Sequence, residues 1–231
     1  MANQSIINGT FNNDKLDSLY LKNIGVFKET DLKFSTKLNI IVGENGTGKT
    51  FLLKIIKALL SSDSQPEAII TALEESFYPI LSVGQLCSND LYGCVLEVNS
   101  NAQSDRHPIF FSENGICNKG CGEYKHFSAL PEIIKTTVMN HSRLAPALFS
   151  KSAQVMHSLM DALRFKTIPY FIWDCPENGL NDSLQKEIAK ILVDLATTGT
   201  QVFIASHSPV LLKALENQSV NTRWIMLNFK N

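Results

Sequence analysis

Residues 43–50 read Gly-Glu-Asn-Gly-Thr-Gly-Lys-Thr, and the types and spacing of these residues suit phosphate binding. The glycines allow the backbone to curl until successive N–H groups point inward at phosphate oxygens. Lys49 is placed to reach the β- and γ-phosphates of a nucleotide, and the Thr50 hydroxyl to bind Mg²⁺. The pattern therefore predicts a site for ATP and Mg²⁺. The predicted nucleotide-binding residues are Gly43, Glu44, Asn45, Gly46, Thr47, Gly48, Lys49, Thr50 and Phe51.

The segments on either side of this loop have the composition that a phosphate loop requires. The apolar run 38–42 is typical of a strand, and the run 51–60 is typical of a helix. A helix that begins near Gly48 adds the positive end of its dipole to the phosphate site. Glycine-rich turns also join strands to helices in proteins that bind no phosphate, but the complete motif in this setting favours a phosphate loop.

Asp174 is the candidate acid that holds the metal ion. It ends the apolar run 170–173, so a strand there would carry its carboxylate to the carboxyl edge of a parallel sheet, where nucleotides bind. An aspartate after a strand is often only a turn residue or a helix cap. Paired with the upstream loop, we interpret Asp174 as a metal ligand together with Thr50.

His207 follows the next apolar run, 202–205, in a similar way. An imidazole at that edge can donate a hydrogen bond to the γ-phosphate and so respond to its presence. A single histidine is more often structural. Because both strand ends are expected to converge on one site, the functional interpretation of His207 is preferred.

The order of predicted elements indicates an α/β protein. Strand-like and helix-like segments alternate through the last third of the chain, which implies a mainly parallel central sheet flanked by helices. Two strand-like runs, 94–98 and 108–111, suggest a small antiparallel patch within residues 92–127. Helical periodicity in 131–139 and 151–165 suggests a helical lid.

Bulk composition predicts a single domain with no membrane span. At 231 residues, 44% of them hydrophobic, the chain can bury a substantial core, and its net charge of -1 gives no global attraction to nucleic acid. No apolar run approaches the roughly 20 residues that cross a bilayer. Residues 1–15 read as a flexible arm rather than a secretory signal, so a cytoplasmic location is expected. The expected head spans 16–231, with an insertion at about 78–165.

Five cysteines, an odd number, fit reduced thiols better than a disulfide framework. Cys117, Cys121 and His126 are spaced C-x3-C-x4-H, which matches no common zinc site closely. Ordinary thiols are therefore the preferred interpretation, with a metal site at Cys117 and Cys121 as the alternative.

Taken together, these segments resemble an ABC-type ATPase. The resemblance lies in Lys22 to Phe27 (KNIGVF), the phosphate loop, Trp173 to Leu180 (WDCPENGL) and Ala205 to Pro209 (ASHSP), and it is strongest with the RecF, SMC-head and OLD-like (overcoming lysogenization defect) branch. It implies an ABC-type head that dimerises head-to-tail, with each ATP held between two subunits.

The resemblance also implies roles for individual residues. Asp174 would be the Walker B acid and His207 the switch histidine. Leu180 and Asn181 occupy the D-loop position, and Gln85 is a candidate Q-loop glutamine, and so a further metal ligand.

Cys175 departs from the family pattern. The position usually holds a glutamate that activates the attacking water, and a neutral thiol accepts a proton poorly near pH 7. Losing a general base typically costs roughly 10²–10⁴-fold in rate. Glu177, beyond Pro176, is an alternative base. Hydrolysis is therefore expected to be slow.

A second departure from the family pattern is in the signature segment, the stretch that in the family contacts the γ-phosphate across the dimer. Its best match is Phe149 to Gln154 (FSKSAQ), where both family glycines are missing. Ser150 and Ser152 can still cap a helix and donate hydroxyls to the γ-phosphate across a dimer. A plain helix start is an equally good interpretation.

Three functions remain open from the sequence. The first is an ATP-binding, slowly hydrolysing dimeric clamp that controls a separate effector or DNA-handling partner in DNA repair or antiphage defence. The second is a non-hydrolysing regulatory subunit that uses ATP only to set its shape. The third is the ATP-binding subunit of an ABC transporter, which the missing glycines and the segment 21–27 disfavour.

Overall fold

The computed structural model describes residues 6–61, 95–99, 109–111, 117–118, 159 and 168–228. These residues form ten strands and three helices. The strands are β1 (Ile6–Asn12), β2 (Lys15–Ile24), β3 (Phe27–Lys33), β4 (Leu38–Gly43), β5 (Val95–Asn99), β6 (Ile109–Phe111), β7 (Cys117–Asn118), β8 (Tyr170–Asp174), β9 (Gln201–Ala205) and β10 (Thr222–Leu227). The helices are α1 (Lys49–Ser61), α2 (Asp182–Thr197) and α3 (Pro209–Glu216).

The larger sheet has six strands in the order β10-β4-β9-β8-β6-β7, and all neighbours run parallel except β6 and β7. All residues of β8 and β9 are buried, as expected of parallel strands covered on both faces. Strands β4 and β8 both pair with β9, and residues 41 and 174 both lie opposite Ala205. The carboxyl ends of β4 and β8 therefore reach the same edge of the sheet.

The smaller sheet has the order β3-β2-β1-β5. Its first three strands are antiparallel, while β5 runs parallel to β1. The small antiparallel sheet that the sequence predicted is thus present, but residues 6–33 build it. The runs expected to pair with each other within 92–127 join different sheets instead, since β5 extends the smaller sheet and β6 the larger one.

Helix α1 lies between the two sheets. Residues 52, 53, 55, 56 and 58–60 are buried, and the partly buried stripe at 51, 54 and 57 carries two of the helix's lysines. Leu52, Ile55 and Leu59 share one core with Leu19 of the smaller sheet and Ile172 of the larger sheet. Packing against both sheets therefore fixes the position of α1, the helix that continues from the phosphate loop.

Helices α2 and α3 cover the opposite face of the larger sheet, where Ile188 and Leu192 pack with Phe171 and Trp173. Asn181 caps α2, because its side chain accepts a hydrogen bond from the Leu184 N–H at 2.9 Å.

The sequence predicted a flexible arm over residues 1–15, and this prediction is wrong for the described part, residues 6–15. Strand β1 forms a hairpin with β2, and Ile7 is buried in the core between the sheets. Asparagine is uncommon in strands, so the asparagines of this segment gave no sign of β1. The strand forms because its pairing with β2 and the burial of Ile7 outweigh local propensity. The proposed insertion at 78–165 lies almost entirely outside the described residues and stays a prediction.

None of the helices in the described part of the chain has both the length and the apolar character needed to span a bilayer.

Candidate nucleotide-binding site

The loop between β4 and α1 has a backbone that only glycine accommodates easily. Gly46 and Gly48 have φ angles of 83° and 92°, in the left-handed region that other residues rarely adopt. A Cβ on Gly43 would lie 2.4 Å from the Leu227 carbonyl oxygen, and one on Gly48 would lie 2.5 Å from Val26 Cγ2. The loop thus turns sharply between two fixed surfaces, β10 and the turn between β2 and β3.

The Lys49 side chain folds back and donates hydrogen bonds to the backbone of its own loop. Its Nζ donates to the carbonyl oxygens of Gly43 at 2.7 Å and Glu44 at 2.8 Å, and the side chain is buried. Thr47 Oγ1 donates to the Glu44 carbonyl at 2.8 Å. An ammonium group has three N–H donors, so these two bonds leave one with which Lys49 can meet a phosphate oxygen.

Phe51 faces the turn between β2 and β3. Its ring stacks on Phe27 with centroids 5.8 Å apart, and Gly25, with φ of 53°, leaves room for it, since a Cβ there would lie 2.1 Å from the ring. The ring thereby fixes the turn that carries Val26 onto Gly48. Nothing tests a nucleotide contact of Phe51, so this assignment stays a prediction.

Asp174 lies at the end of β8 and is 2% exposed. Side chains alternate along a strand, so Asp174 shares a face with Ile172, which packs in the core around α1. Thr50 stands in the first turn of that helix. Thr50 and Asp174, two of the three predicted metal ligands, therefore lie on the same face and at the same edge of the sheet, and their oxygen atoms are the type that Mg²⁺ prefers.

Cys175 follows directly, with a φ of 50°. For a residue other than glycine this left-handed conformation is uncommon and costs of order 1 kcal/mol, and such strain gathers at functional sites. The Cys175 N–H donates to the Ala205 carbonyl at 2.9 Å, and its Sγ donates to Asp174 Oδ1 at 3.6 Å. The chain thus turns abruptly at this position and keeps the thiol beside the carboxylate.

Glu177 joins that turn to the end of β9. Its side chain is 7% exposed, and its Oε2 accepts a hydrogen bond from Ser206 Oγ at 2.9 Å. Its Oε1 accepts one from the His207 N–H at 2.9 Å and lies 3.1 Å from His207 Nδ1. The His207 side chain is 56% exposed. The carboxylate therefore fixes both backbone and ring of His207 and leaves the ring facing solvent.

This network continues into the helices. Ser206 Oγ accepts from the Ser208 N–H at 3.1 Å, and Ser208 Oγ donates to Gln185 Oε1 at 2.6 Å. Gln185 Nε2 in turn donates to the Leu180 carbonyl at 3.0 Å. The expected D-loop position is thus connected to His207 by a chain of buried hydrogen bonds.

The structure brings most of the predicted site residues together: the phosphate loop, Asp174, Cys175, Glu177 and His207 end at one sheet edge. Gln85, Ser150 and Ser152 lie outside the described residues and stay predictions. Sequence reasoning gave no role to Ser206, which orients Glu177. Its place between a buried strand and the candidate histidine was the available signal.

Two family profiles match the chain. One, described as "AAA domain", matches residues 18–93 and includes the phosphate loop. The other, described as "AAA domain, putative AbiEii toxin, Type IV TA system", matches residues 143–213 and includes Asp174 and His207. Both matches are to AAA-domain families, and the chain has the mixed α/β fold and the phosphate loop of a P-loop ATPase.

Solved structures similar to this chain share little sequence with it. MJ0796, described as a bacterial ABC transporter cassette, is 15% identical with a TM-score of 0.47, covering 97% of this chain and 92% of its own. The SMC head domain from Thermotoga maritima is 14% identical with a TM-score of 0.45, covering 87% and 92%. Because both TM-scores lie below 0.5, the fold assignment stands on strand order, the phosphate loop and the two domain matches. No curated protein matches this chain.

Proposed function

We propose that this chain is an ABC-type ATPase that binds ATP and Mg²⁺ at the loop 43–50, hydrolyses ATP slowly, and works as a nucleotide-gated dimeric clamp on a separate effector. Lys49 and the loop N–H groups would hold the phosphates, and Thr50 and Asp174 the metal ion. His207 would contact the γ-phosphate. Binding of ATP across two subunits would favour the closed dimer, which slow turnover keeps long-lived.

The observation that carries slow turnover is the thiol at Cys175. It stands next to the buried Asp174, where an activated water would be needed, and a neutral thiol accepts protons poorly. Glu177 is the nearest alternative base. Its carboxylate already receives bonds from Ser206 Oγ and the His207 N–H, so its geometry favours holding His207 over activating water.

Exposure of the site supports closure by a second subunit. Glu44, Asn45 and Gly46 at the tip of the loop are exposed, and so is His207 at the same sheet edge. A head-to-tail partner would cover this edge and exclude water from the phosphates, and Ser150 and Ser152 of the signature segment are the predicted contacts.

The test combines two variants of the full chain. Lys49→Ala should abolish ATP binding while the fold, measured by circular dichroism, is retained. Cys175→Glu restores a carboxylate beside Asp174 and should raise ATP turnover by roughly 10²-fold or more, since a general base contributes about that much. Fast turnover in the parent, unchanged by Cys175→Glu, would refute the slow clamp.

A second candidate function is a non-hydrolysing regulator that uses ATP only to set its shape. The same thiol at Cys175 favours it, together with the bonds that occupy Glu177. ATP binding without any phosphate release, in the presence of every tested partner, would favour this function over the slow clamp.

The partner is proposed from the family context. The profile matched by residues 143–213 includes a toxin of a type IV toxin–antitoxin system in its description, which supports an effector or defence setting over transport. DNA repair is the other setting, with DNA contacted through the complex. Pull-down from cells producing the protein tests both, and recovery of a membrane protein would favour a transporter subunit instead.

A further inference from the structure

We propose that Cys175, Glu177 and His207 bind a thiophilic divalent cation such as Zn²⁺, and that the bound cation blocks ATP turnover. Among the residues that the structure describes, these three bring one possible ligand atom each to within 4.8 Å of one another. Thiolate, carboxylate and imidazole are the ligand types that Zn²⁺ takes in proteins. Cation binding stands on this geometry alone, whereas the inhibitory effect rests on the proposed ATPase function.

The three ligand atoms are close to the separations that a tetrahedral ion requires. Zinc bonds of about 2.0–2.3 Å place neighbouring ligand atoms roughly 3.5 Å apart. His207 Nδ1 and Glu177 Oε1 already lie 3.1 Å apart. Cys175 Sγ lies within 4.8 Å of both other ligand atoms, so a side-chain rotation can bring the sulfur to the ion. The thiol proton leaves to solvent when the thiolate binds. Three protein ligands leave a fourth position for water.

The surroundings of Glu177 are those of an oriented ligand. Ser206 Oγ donates to one carboxylate oxygen and the His207 N–H to the other, so the carboxylate cannot rotate freely. Such outer hydrogen bonds orient metal ligands and raise the affinity of a site. The exposed imidazole of His207 provides the route by which the cation enters.

The ligand set discriminates between this cation and the Mg²⁺ that accompanies ATP. Magnesium prefers oxygen ligands in octahedral geometry, whereas thiolate and imidazole select softer ions. Cys175 Sγ lies 3.6 Å from Asp174 Oδ1, so the two cations would occupy adjoining positions. A second divalent charge there repels the nucleotide-bound Mg²⁺ and occupies the place of the attacking water, which explains the block.

The binding test uses Co²⁺, which takes the same ligands as Zn²⁺ and reports them by its absorption. Titrating the metal-free full chain with Co²⁺ should produce a thiolate charge-transfer band and tetrahedral visible bands, saturating at one equivalent and disappearing when Zn²⁺ is added. Cys175→Ser should lose the thiolate band. Ser206→Ala should keep the band but weaken Co²⁺ binding by roughly 10–100-fold, because it removes a hydrogen bond to Glu177.

The matched control addresses Cys117 and Cys121, two of the other four cysteines of the chain. Cys117→Ser combined with Cys121→Ser removes the alternative thiol pair and should leave the Co²⁺ band intact. A band that survives in Cys175→Ser, that vanishes in this double variant, or that never forms in the parent would overturn the cation site.

The inhibition test measures ATP turnover with excess Mg²⁺ and increasing Zn²⁺. The parent should lose ATP turnover as Zn²⁺ fills the site. The turnover of Cys175→Ser, whatever its value without Zn²⁺, should not fall over the same Zn²⁺ range. Equal inhibition of both proteins would overturn the block. The two proposals fail separately, because absence of ATP binding leaves the Co²⁺ band in place, and absence of the band leaves ATP binding in place.

Discussion

At the residue scale, the site depends on side chains and glycines that satisfy local geometry. Gly48 lets the backbone pass Val26, and Lys49 holds two loop carbonyls. At the other side, Glu177 receives bonds from Ser206 and His207, because a buried carboxylate without partners would be costly. The predicted chemistry therefore depends on hydrogen bonds that the residue types alone do not reveal.

Glu177→Gln should lower the free energy of unfolding by about 2 kcal/mol. The Gln amide presents N–H groups on one side, so either the Ser206 hydroxyl or the His207 N–H loses its acceptor while buried. Urea denaturation measures the change. The matched control is Glu187→Gln, which makes the same chemical change at an exposed pair with Lys190 and should cost less than about 0.5 kcal/mol. Equal losses in both variants would contradict this account.

At the scale of elements, the phosphate loop is fixed because its flanking segments are fixed. Helix α1 is packed between two sheets, and strand β4 is an inner strand of the larger one, paired with β10 and β9. The sheets are also joined by polar bonds near the amino ends of β8 and β9. Lys15 Nζ donates to the Pro169 and Gly199 carbonyls, and burial lowers the pKa of Lys15, with the nearby Asp14 charge opposing the shift.

The Gln201 side chain makes three further hydrogen bonds between the segments of the two sheets. Its amide nitrogen donates to the Leu16 carbonyl at 2.7 Å and the Ser35 carbonyl at 2.8 Å, and its oxygen accepts from the Leu16 N–H at 2.9 Å. All three partners are main-chain groups of the segment that contains the smaller sheet, and Gln201 itself is fully buried.

Gln201→Leu should therefore destabilise the fold by about 3 kcal/mol, because it removes the side-chain partner of the buried Leu16 N–H and of the buried Leu16 carbonyl. The Ser35 carbonyl loses one bond but keeps the one from Asn39 Nδ2 at 2.9 Å. Thermal and urea unfolding measure the loss. Gln218→Leu is the control, since the exposed Gln218 side chain donates a long hydrogen bond to the Ala214 carbonyl, at 3.3 Å. If the two substitutions cost the same, the sheets are not joined through Gln201.

At the scale of the whole molecule, the loop tip and His207 lie at one exposed sheet edge. The proposed clamp uses that edge, since nucleotide phosphates there can be covered by a second subunit. The buried bonds from Glu177 through Ser206, Ser208 and Gln185 to the Leu180 carbonyl give a physical route from His207 to the predicted D-loop position.

Mg²⁺-ATP should shift the full chain from monomer to dimer, because each nucleotide would contact both subunits. Sedimentation over a range of protein concentrations measures the dissociation constant, which should fall at least about tenfold with ATP, a coupling typical of allosteric proteins. Lys49→Ala with Mg²⁺-ATP, and the parent with Mg²⁺ alone, should show no shift. A chain that binds ATP yet stays monomeric throughout would rule out the homodimeric clamp.

The sequence by itself determined the phosphate loop, the α/β class and the candidate acids and histidine, because each depends on local spacing that physical rules translate directly into chemistry. Only the tertiary structure decided that residues 6–12 form a strand, that β5 and β6 join different sheets, and that Glu177 is held by Ser206 and His207. These features depend on contacts between segments about 30 or more residues apart, or on burial that outweighs local propensity. They left only weak signals along the chain.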